Sequence, residues 1–409
     1  MHEDQIKSRR VIEGYRTGVP TNRAIELTGS GQTTLDNKFL NLMTNIRRGE
    51  AIEESGFFFF GDFGTGKSHV ISSFKSDALK NNFVVSSISI GPSLTFAKEE
   101  GLPLLAEIVE SLETEDCSEN CLSSLLFQLA TNRPDNSLAE LAEWAGRRYS
   151  GESRIFFCSL AAQLQSLKYP SREFEWVHQF FTGGKNLYPF RMIFGGATVN
   201  LPVKGKRLFE TVDFLSELFK KLGKAGWILF FDEIELIRNY SYLQRSKTYD
   251  ELARWLDGRS RSGIGAIGSF TAGFTNQVIL DGFGSKNDAK NVPIWLKNSA
   301  NDFSRVQGAR RGMYSIGRFE QDSDFVMKVP SKTEILKIQE IIRNEYKSAY
   351  SVEVPLLSVA GGNGIQKSLR RLIREWITSW DLIRANRKVD IKEYIVSQDL
   401  EFSDDDEEI

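Results

Sequence analysis

Cysteine and histidine are scarce in this sequence, which contains three of each among 409 residues. Three cysteines in a chain of this length do not form a disulfide framework, so we expect a reducing, cytoplasmic environment. Cys117 and Cys121 have helical spacing, but a zinc site needs four ligands at recognisable spacing, and His2, His69 and His178 do not provide them. The composition therefore excludes both a disulfide-stabilised fold and a structural zinc site.

Long apolar runs and an excess of charge are also missing. No uninterrupted apolar stretch reaches the length that spans a bilayer, and residues 1–5 lack the charged-then-apolar layout of a secretory signal. The formal net charge of −2 provides no global attraction to nucleic acid, so any such contact must use local basic patches. We expect a globular protein with two or three domains and no membrane partner.

A glycine-rich segment follows a run of four phenylalanines. Residues 56–60 predict a short strand that is fully buried in a parallel sheet, and apolar residues at helical spacing follow the glycines. This strand–loop–helix order is the context that the phosphate-binding pattern G-x-x-x-x-G-K-S requires, and it argues against a chance glycine-rich turn. The predicted nucleotide-binding residues are Gly61, Asp62, Phe63, Gly64, Thr65, Gly66, Lys67, Ser68 and His69.

The chemistry of this loop predicts ATP and Mg²⁺ as cofactors. Glycines allow backbone N–H groups to point at an anion, and the helix N-terminus adds partial positive charge. Lys67 is expected to reach the β- and γ-phosphates, and Ser68 to ligate Mg²⁺. For His69 we expect packing within the loop helix rather than acid–base chemistry.

Another predicted apolar strand, residues 227–233, ends in two carboxylates. We assign Asp232 to the metal and Glu233 to activation of the attacking water, because ATP hydrolysis needs both groups. The alternative is a strand that merely ends in an acidic turn. A further strand is predicted over 264–274, and Thr275 or Asn276 after it is expected to meet the γ-phosphate or to position the water, with helix capping an equally good explanation.

Basic side chains form two further groups of interest. Arg370 and Arg371 lie on a predicted C-terminal helix, where they either reach nucleotide phosphates or form a solvated basic face. A last strand is predicted over residues 325–329. The loop before it carries Arg305, Arg310 and Arg311. In an oligomer, one of these arginines is expected to contact the ATP bound by a neighbouring subunit. The alternative is that they contact nucleic-acid phosphates.

The order of predicted elements gives the fold class. Strands at 56–60, 83–90, 227–233 and 264–274 alternate with helices, which predicts an α/β fold with a parallel-sheet αβα P-loop core, a large helical insertion and a C-terminal α-helical lid. Helices are expected near residues 36–49, 104–112, 122–129, 138–149, 155–167 and 207–223, and after a capping box at Ser331–Glu334. The predicted parts are an N-terminal helical arm (1–50), the core (51–329, with its insertion at about 92–206), the lid (330–400) and an acidic disordered tail (401–409). The arm, with short helices before and after a turn at residues 18–20, either packs on the sheet or contacts the nucleotide.

Four stretches of the chain resemble the AAA+ class of P-loop ATPases, in the origin-recognition and helicase-loader branch, and are most similar to the BrxD-type ATP-binding proteins of BREX phage-defence systems. These stretches are residues 9–20, 61–69, 222–235 and 369–373. The chain departs from the family pattern at Ile365-Gln366, where a Pro-Arg pair is expected, which leaves Arg370 as the better candidate for the sensor residue. The resemblance implies an ATP-driven component of a bacterial defence system that acts on DNA, works with a partner such as a helicase and forms a homo-oligomer.

Two alternatives to an AAA+ ATPase remain. A P-loop motor of another class, such as the RecA type, needs a second sheet domain and does not predict an all-helical end after residue 330. A nucleotide-gated scaffold would bind ATP and seldom hydrolyse it, but such a scaffold does not need the carboxylate of Glu233. The chain has no Asn-Lys-x-Asp motif, which disfavours a GTPase.

Overall fold

The computed structural model describes residues 3–18, 21–49, 54–91, 94, 102–131, 137–184, 207–258, 263–280, 287–300, 303–357 and 368–385. The turn at Val19-Pro20, the departure at Ile365-Gln366 and the acidic tail lie outside these residues. The chain divides into two compact units. The first unit consists of Met1–Thr33, Asp62–Ser73 and Met327–Ile409, and the second of Thr34–Gly61 and Phe74–Val326. The domain boundaries given above remain predictions.

The described residues form five strands and fifteen α-helices. The strands are β1 (Gly56–Phe60), β2 (Val84–Ser89), β3 (Leu112–Glu113), β4 (Trp227–Asp232) and β5 (Ile264–Phe270). The helices are α1 (Glu3–Thr17), α2 (Asn22–Thr28), α3 (Thr33–Arg48), α4 (Lys67–Lys80), α5 (Leu102–Glu110), α6 (Cys121–Thr131), α7 (Ser137–Arg148), α8 (Gly151–Gln165), α9 (Arg172–Phe181), α10 (Arg207–Lys221), α11 (Tyr242–Leu256), α12 (Asp288–Trp295), α13 (Phe303–Gln321), α14 (Lys332–Tyr350) and α15 (Leu369–Arg384). None of these helices is both long and apolar enough to cross a membrane.

The second unit contains a five-stranded sheet in the order β1-β5-β4-β2-β3. The first four of these strands are parallel to one another, and β3 is a short antiparallel edge strand. Every residue of β1 and of β5 is buried, as expected for strands covered on both faces. The prediction of an α/β fold with a mostly parallel sheet is confirmed, and the sheet is compatible with a P-loop core.

One predicted strand boundary is wrong, and one predicted strand is absent from the residues that the structure describes. β5 ends at Phe270 rather than at Phe274, because the chain turns at residues 272–273 and a π-helical segment, Thr275–Leu280, follows. The predicted strand over 325–329 does not form. Only Val326 bridges to Phe60, after a 3₁₀ turn over Ser323–Phe325 whose first donors are capped by Asp322.

Arg305, Arg310 and Arg311 lie on helix α13, not in the predicted loop. Glycines are unfavourable within a helix, but two glycines of α13 allow close packing between helices α13 and α11. A Cβ at Gly308 would clash with the carboxylate of Asp250, and one at Gly312 with the carbonyl oxygen of Tyr249. Glycine therefore allows α13 to lie directly on the backbone of α11, and this packing outweighs its low helix propensity.

The first unit has a helical core that joins distant parts of the sequence. Helix α1 packs on α14 and contacts α15. The shared cluster contains Val11, Ile12, Tyr15, Ala24, Ile342, Tyr346, Ala349, Val354, Leu372, Ile373, Trp376, Ile377 and Trp380. Arg9 Nε donates to the carbonyl oxygen of Ala349 at 2.9 Å, and Arg16 pairs with Asp381 at 2.8 Å. Helix α14 begins with the predicted capping box of Ser331 and Glu334, with both hydrogen bonds present.

Candidate nucleotide-binding site

The predicted phosphate-binding loop, residues 61–68, connects β1 to α4 and depends on two glycines. We call it the phosphate loop. Gly64 and Gly66 have φ of +75° and +103°, which a residue with a side chain rarely adopts. A Cβ at Gly64 would also lie 3.3 Å from the Cβ of Ser368. The Thr65 N–H and hydroxyl both donate to the carbonyl oxygen of Asp62, at 3.2 Å and 2.7 Å, which closes the turn. The predicted strand–loop–helix context is confirmed, since α4 begins at Lys67.

The side chains of this segment differ in their surroundings. Ser68 and Asp62 are exposed, Lys67 is half-buried, and the Phe63 ring is 81% exposed. His69 is half-buried, and its Nε2 lies 2.7 Å from the carbonyl oxygen of Gly29. Burial lowers the pKa of His69, so the neutral ring donates Nε2–H to that oxygen. His69 therefore ties the first turn of α4 to the end of α2.

The same unit contains the predicted lid arginines. Ser368 caps α15, accepting a hydrogen bond from the Arg371 N–H at 3.3 Å. Arg371 is half-buried and pairs with Glu375 at 3.2 Å. Arg370 is exposed, and its guanidinium lies so close to the backbone of Gly18 that a Cβ there would clash with it. Of the two predicted arginines, Arg371 is paired with a carboxylate of its own helix, whereas Arg370 lies against the backbone of Gly18.

Arg374 lies on the predicted basic side of the same helix, but no separate role was predicted for it. It lies one turn after Arg370, and its Nη2 donates to the carbonyl oxygen of Thr17 at 3.3 Å. Burial, followed by the nearby charge of Arg370, lowers the pKa of Arg374. Two like charges at i and i+4 destabilise a helix unless an anion offsets them. Their spacing on the predicted helix is the sequence feature that could have identified this pair.

The second unit presents the two predicted carboxylates at the carboxyl end of β4. Asp232 is half-buried, and its Oδ1 accepts hydrogen bonds from Ser269 Oγ and from the Glu233 N–H, the latter at 2.9 Å. Glu233 has φ 58° and ψ 30°, a left-handed conformation that is strained for a residue other than glycine. Its exposed side chain accepts a hydrogen bond from Ser89 Oγ at 2.7 Å. The two carboxylates are therefore fixed separately, each by a serine of a neighbouring strand.

Serine and threonine residues around this edge were missed at the sequence level. Ser89 is paired with Asp232 in the β2–β4 register, and Ser269 lies in β5. Thr271 directly follows β5, and its hydroxyl donates to Glu235 Oε1 at 2.6 Å. Hydroxyl residues at the ends of strands are visible in sequence, but their partners depend on strand order. Only the sheet topology identifies them.

Asn276 does not occupy the strand end that was predicted for it. It is exposed on the π-helical segment, beyond the turn that follows β5, and Thr271 takes the strand-end position. Glu320 accepts hydrogen bonds from the Gly273 N–H and from the Thr275 N–H, the latter at 2.8 Å, and so caps that segment. The catalytic role of Asn276 remains a prediction.

A comparison with protein families shows what the first part of the chain, which contains the phosphate loop, is similar to. Residues 4–142 match the family model of the BREX system ATP-binding protein BrxC/D. This match covers about a third of the chain and includes the whole phosphate loop, but it ends before Asp232, Glu233 and Arg370. It supports an ATP-binding protein of the BREX phage-defence system, in agreement with the resemblance described above. No curated protein and no solved structure matches the chain.

Proposed function

We propose that this protein is an AAA+ ATPase of a BREX-type bacterial phage-defence system, which binds and hydrolyses ATP in the cytoplasm. The observation that carries hydrolysis is the fixed position of Glu233, held in a strained backbone conformation at the end of β4 and bonded through its carboxylate to Ser89. Such strain costs about 1–3 kcal/mol and is found preferentially at functional sites. A scaffold that only binds ATP does not need a carboxylate held in this way.

The residues present fit ATP and Mg²⁺. The positive φ angles of Gly64 and Gly66 shape a loop whose backbone N–H groups can surround phosphate oxygens. Lys67 supplies positive charge to the β- and γ-phosphates, and Gly61 to His69 form the surrounding segment. The hydroxyl of Ser68 and the carboxylate of Asp232 are the hard oxygen ligands that Mg²⁺ prefers. When bound, Mg²⁺ neutralises the negative charge that develops on the phosphates.

The remaining roles follow from charge and position. Glu233 accepts the proton of the attacking water or orients that water, and Asn276 assists it. Arg370 adds positive charge at the phosphates from helix α15, and Arg374 supports it from the next turn. Both arginines lie in the same unit as the phosphate loop, and Ser368 at the start of their helix packs against Gly64.

The purpose of turnover is the part of the proposal that rests on the family. We propose that ATP hydrolysis drives DNA binding, or the loading or remodelling of a partner protein such as a helicase, within a homo-oligomer. The similarity to BREX ATP-binding proteins over residues 4–142 supports this setting. The second candidate is a nucleotide-gated scaffold that binds ATP with little hydrolysis. The family match favours it in one respect, because the matched residues include the phosphate loop but not Glu233.

A turnover and binding assay on three proteins separates the two candidates. Wild type is expected to release phosphate from ATP, and Glu233→Gln to bind ATP with similar affinity while releasing phosphate at least about 100-fold more slowly. Glu173→Gln removes an exposed carboxylate from helix α9 and serves as the matched control. Equally negligible rates in wild type and Glu233→Gln, with ATP still bound, would exclude the hydrolase and leave the scaffold.

A further inference from the structure

Helix α13 has an exposed face with an unusual composition. Its exposed positions recur three or four residues apart and so lie on one side of the helix. We call this face the α13 stripe, and its residues are Gln307, Arg310, Arg311, Tyr314, Arg318 and Gln321. At 1.5 Å per residue the stripe is about 21 Å long. The Tyr314 ring near its middle is 72% exposed, which is unusual for an aromatic side chain on a helix surface.

The stripe is rigidly mounted, and it carries no acidic residue. Gly308 and Gly312 hold the opposite side of α13 against helix α11. The only acidic residue of α13 is Glu320, and its carboxylate is turned inward, where it accepts hydrogen bonds from the N–H groups of Gly273 and Thr275. The solvent face of the helix is therefore left to arginine, tyrosine and glutamine.

The charges on the stripe are only partly neutralised. Arg318 pairs with Glu54, whereas Arg310 and Arg311 form no ion pair with any residue that the structure describes. Arg254 on α11 is near enough to Arg311 for the two charges to repel each other. Burial is nevertheless the main cause of the lowered pKa of Arg254, and three nearby carboxylates oppose it.

A groove beside the stripe limits where an anion can lie. It has a volume of about 460 Å³, and its polar lining includes Glu54 and Asp257 together with Arg311, Tyr314 and Arg318. Glu54 is paired with Arg318, and with Asp257 it gives the groove a lining of mixed charge, which suits an anion less well than the arginines outside it. An anionic partner would therefore follow the outer edge of the helix, over Arg310, Arg311 and Tyr314.

We propose that the α13 stripe contacts the phosphate backbone of a nucleic-acid strand. Arg310 and Arg311 bind phosphates, while Tyr314 between them and Arg318 stacks on a base or packs against a sugar. Positive charge spread along a helix suits a chain of phosphates better than the concentrated charge of a single nucleotide. The inference deepens the proposed coupling of ATP turnover to DNA and rests on that proposal for its purpose. The binding itself does not require hydrolysis, so the two can fail separately.

Binding to labelled oligonucleotides tests the stripe on the full chain. The probes are single-stranded and duplex DNA of about 30 nucleotides, measured by fluorescence anisotropy at several salt concentrations, with and without ATP. Reversing both charges, in Arg310→Glu/Arg311→Glu, is expected to weaken binding at least about tenfold. It should also reduce the salt dependence, d log K/d log [salt], by about 1.4 for the single strand or about 1.8 for the duplex.

A matched control and a second substitution make the result specific to the stripe. Arg147→Glu/Lys168→Glu changes the net charge by the same amount at exposed positions between residues 137 and 184. It is expected to leave the affinity for DNA within about twofold of wild type. Tyr314→Ala should weaken binding of the preferred oligonucleotide several-fold, whereas Tyr314→Phe, which keeps the ring, should not weaken it.

Three outcomes would overturn the proposal. One is a wild-type protein that binds neither probe, with or without ATP. Another is a double reversal that folds, as judged by its thermal melt, and binds as tightly as wild type. The third is a double reversal that loses ATP turnover while its DNA affinity is unchanged. That result would mean that the arginines contact the ATP of a neighbouring subunit instead. Absence of turnover in wild type, with DNA binding that depends on the stripe, would refute only the proposed hydrolysis.

Discussion

The two units hold their candidate site residues by different means. In the first unit the phosphate loop is shaped by backbone conformation, through the positive φ angles of Gly64 and Gly66 and the contact of His69 with a backbone oxygen. In the second unit, Asp232 and Glu233 are held by side-chain hydroxyls, from Ser269 and Ser89. A loop shaped by its backbone tolerates many side-chain changes but no added Cβ, whereas carboxylates held by hydroxyls can be loosened one hydrogen bond at a time.

The largest effect should come from Glu233→Gln. The amide keeps the shape of the side chain but cannot take the proton of the attacking water, so turnover is expected to fall by about 10²–10⁴-fold. Gly64→Ala should instead weaken ATP binding, because alanine is strained at φ +75° and its Cβ would press on Ser368. Nucleotide titration and phosphate release at saturating ATP, measured on both variants, would contradict the comparison if Glu233→Gln lost its affinity for ATP or if Gly64→Ala kept it.

Asp288→Ala tests how far the second unit depends on buried polar groups. Asp288 is fully buried in α12, where it pairs with Arg245, at 2.6 Å, and accepts a hydrogen bond from the hydroxyl of Tyr249 at 2.8 Å. Removing it leaves a buried arginine without its partner, which costs about 3–5 kcal/mol of unfolding free energy. Denaturant unfolding should show this loss. Asp4→Ala, at an exposed site on α1, is the control and should change stability by less than about 0.5 kcal/mol.

Ser89→Ala should reduce turnover by an intermediate amount. It removes one hydrogen bond to the Glu233 carboxylate, and a bond to a charged group contributes about 1.5–3 kcal/mol, so a loss of about ten- to hundredfold in the rate of phosphate release is expected. ATP affinity should stay close to that of wild type. Ser89→Thr, which keeps the hydroxyl, should recover most of the rate. Equal rates for Ser89→Ala and wild type would mean that Glu233 is positioned by its backbone alone.

The smallest effect is a pH dependence of stability that both units share. Burial lowers the pKa of His69 in the first unit and of His178 in the second below the ordinary value of 6.5. A histidine with a lowered pKa binds fewer protons when folded than when unfolded, so its stabilising contribution is present above pH 6.5 and is lost as the pH falls. Thermal melts between pH 8 and pH 5 should show smaller pH-dependent losses for His69→Asn and His178→Asn than for wild type. An unchanged pH profile in both variants would show that other groups dominate.

Much of the fold followed from local patterns in the sequence. The phenylalanine run predicted β1, and the capping box at Ser331 predicted the start of α14, because each depends on residues that are close together in the chain. The arginines on α13 were misplaced in a loop for the opposite reason. Gly308 and Gly312 are unfavourable for a helix locally, and only the close approach of α11 explains them.

The two groups of candidate site residues differ in the same way. The phosphate loop is a continuous motif, so its residues were predictable from the sequence, and the match over residues 4–142 includes them. The position of Asp232 and Glu233 at the end of an apolar strand was also predicted, and their roles remain proposals. Ser89 and Ser269, which hold those carboxylates, could not be found without knowing that β4 lies between β2 and β5. The strand end assigned to Asn276 failed because the turn after β5 comes earlier than its apolar residues suggest.

The helical core of the first unit has a consequence for biosynthesis. Arg16 and Asp381, which pair across it, are 365 residues apart in the chain. The phosphate loop leaves the ribosome early, but helices α14 and α15, against which α1 packs, are made only after the whole sheet. Since domains generally fold as their segments emerge, the second unit can form while the first still lacks most of its core. The phosphate loop thus acquires its final surroundings late. If it binds ATP as proposed, a nascent chain should gain its affinity for ATP only once α15 has been released.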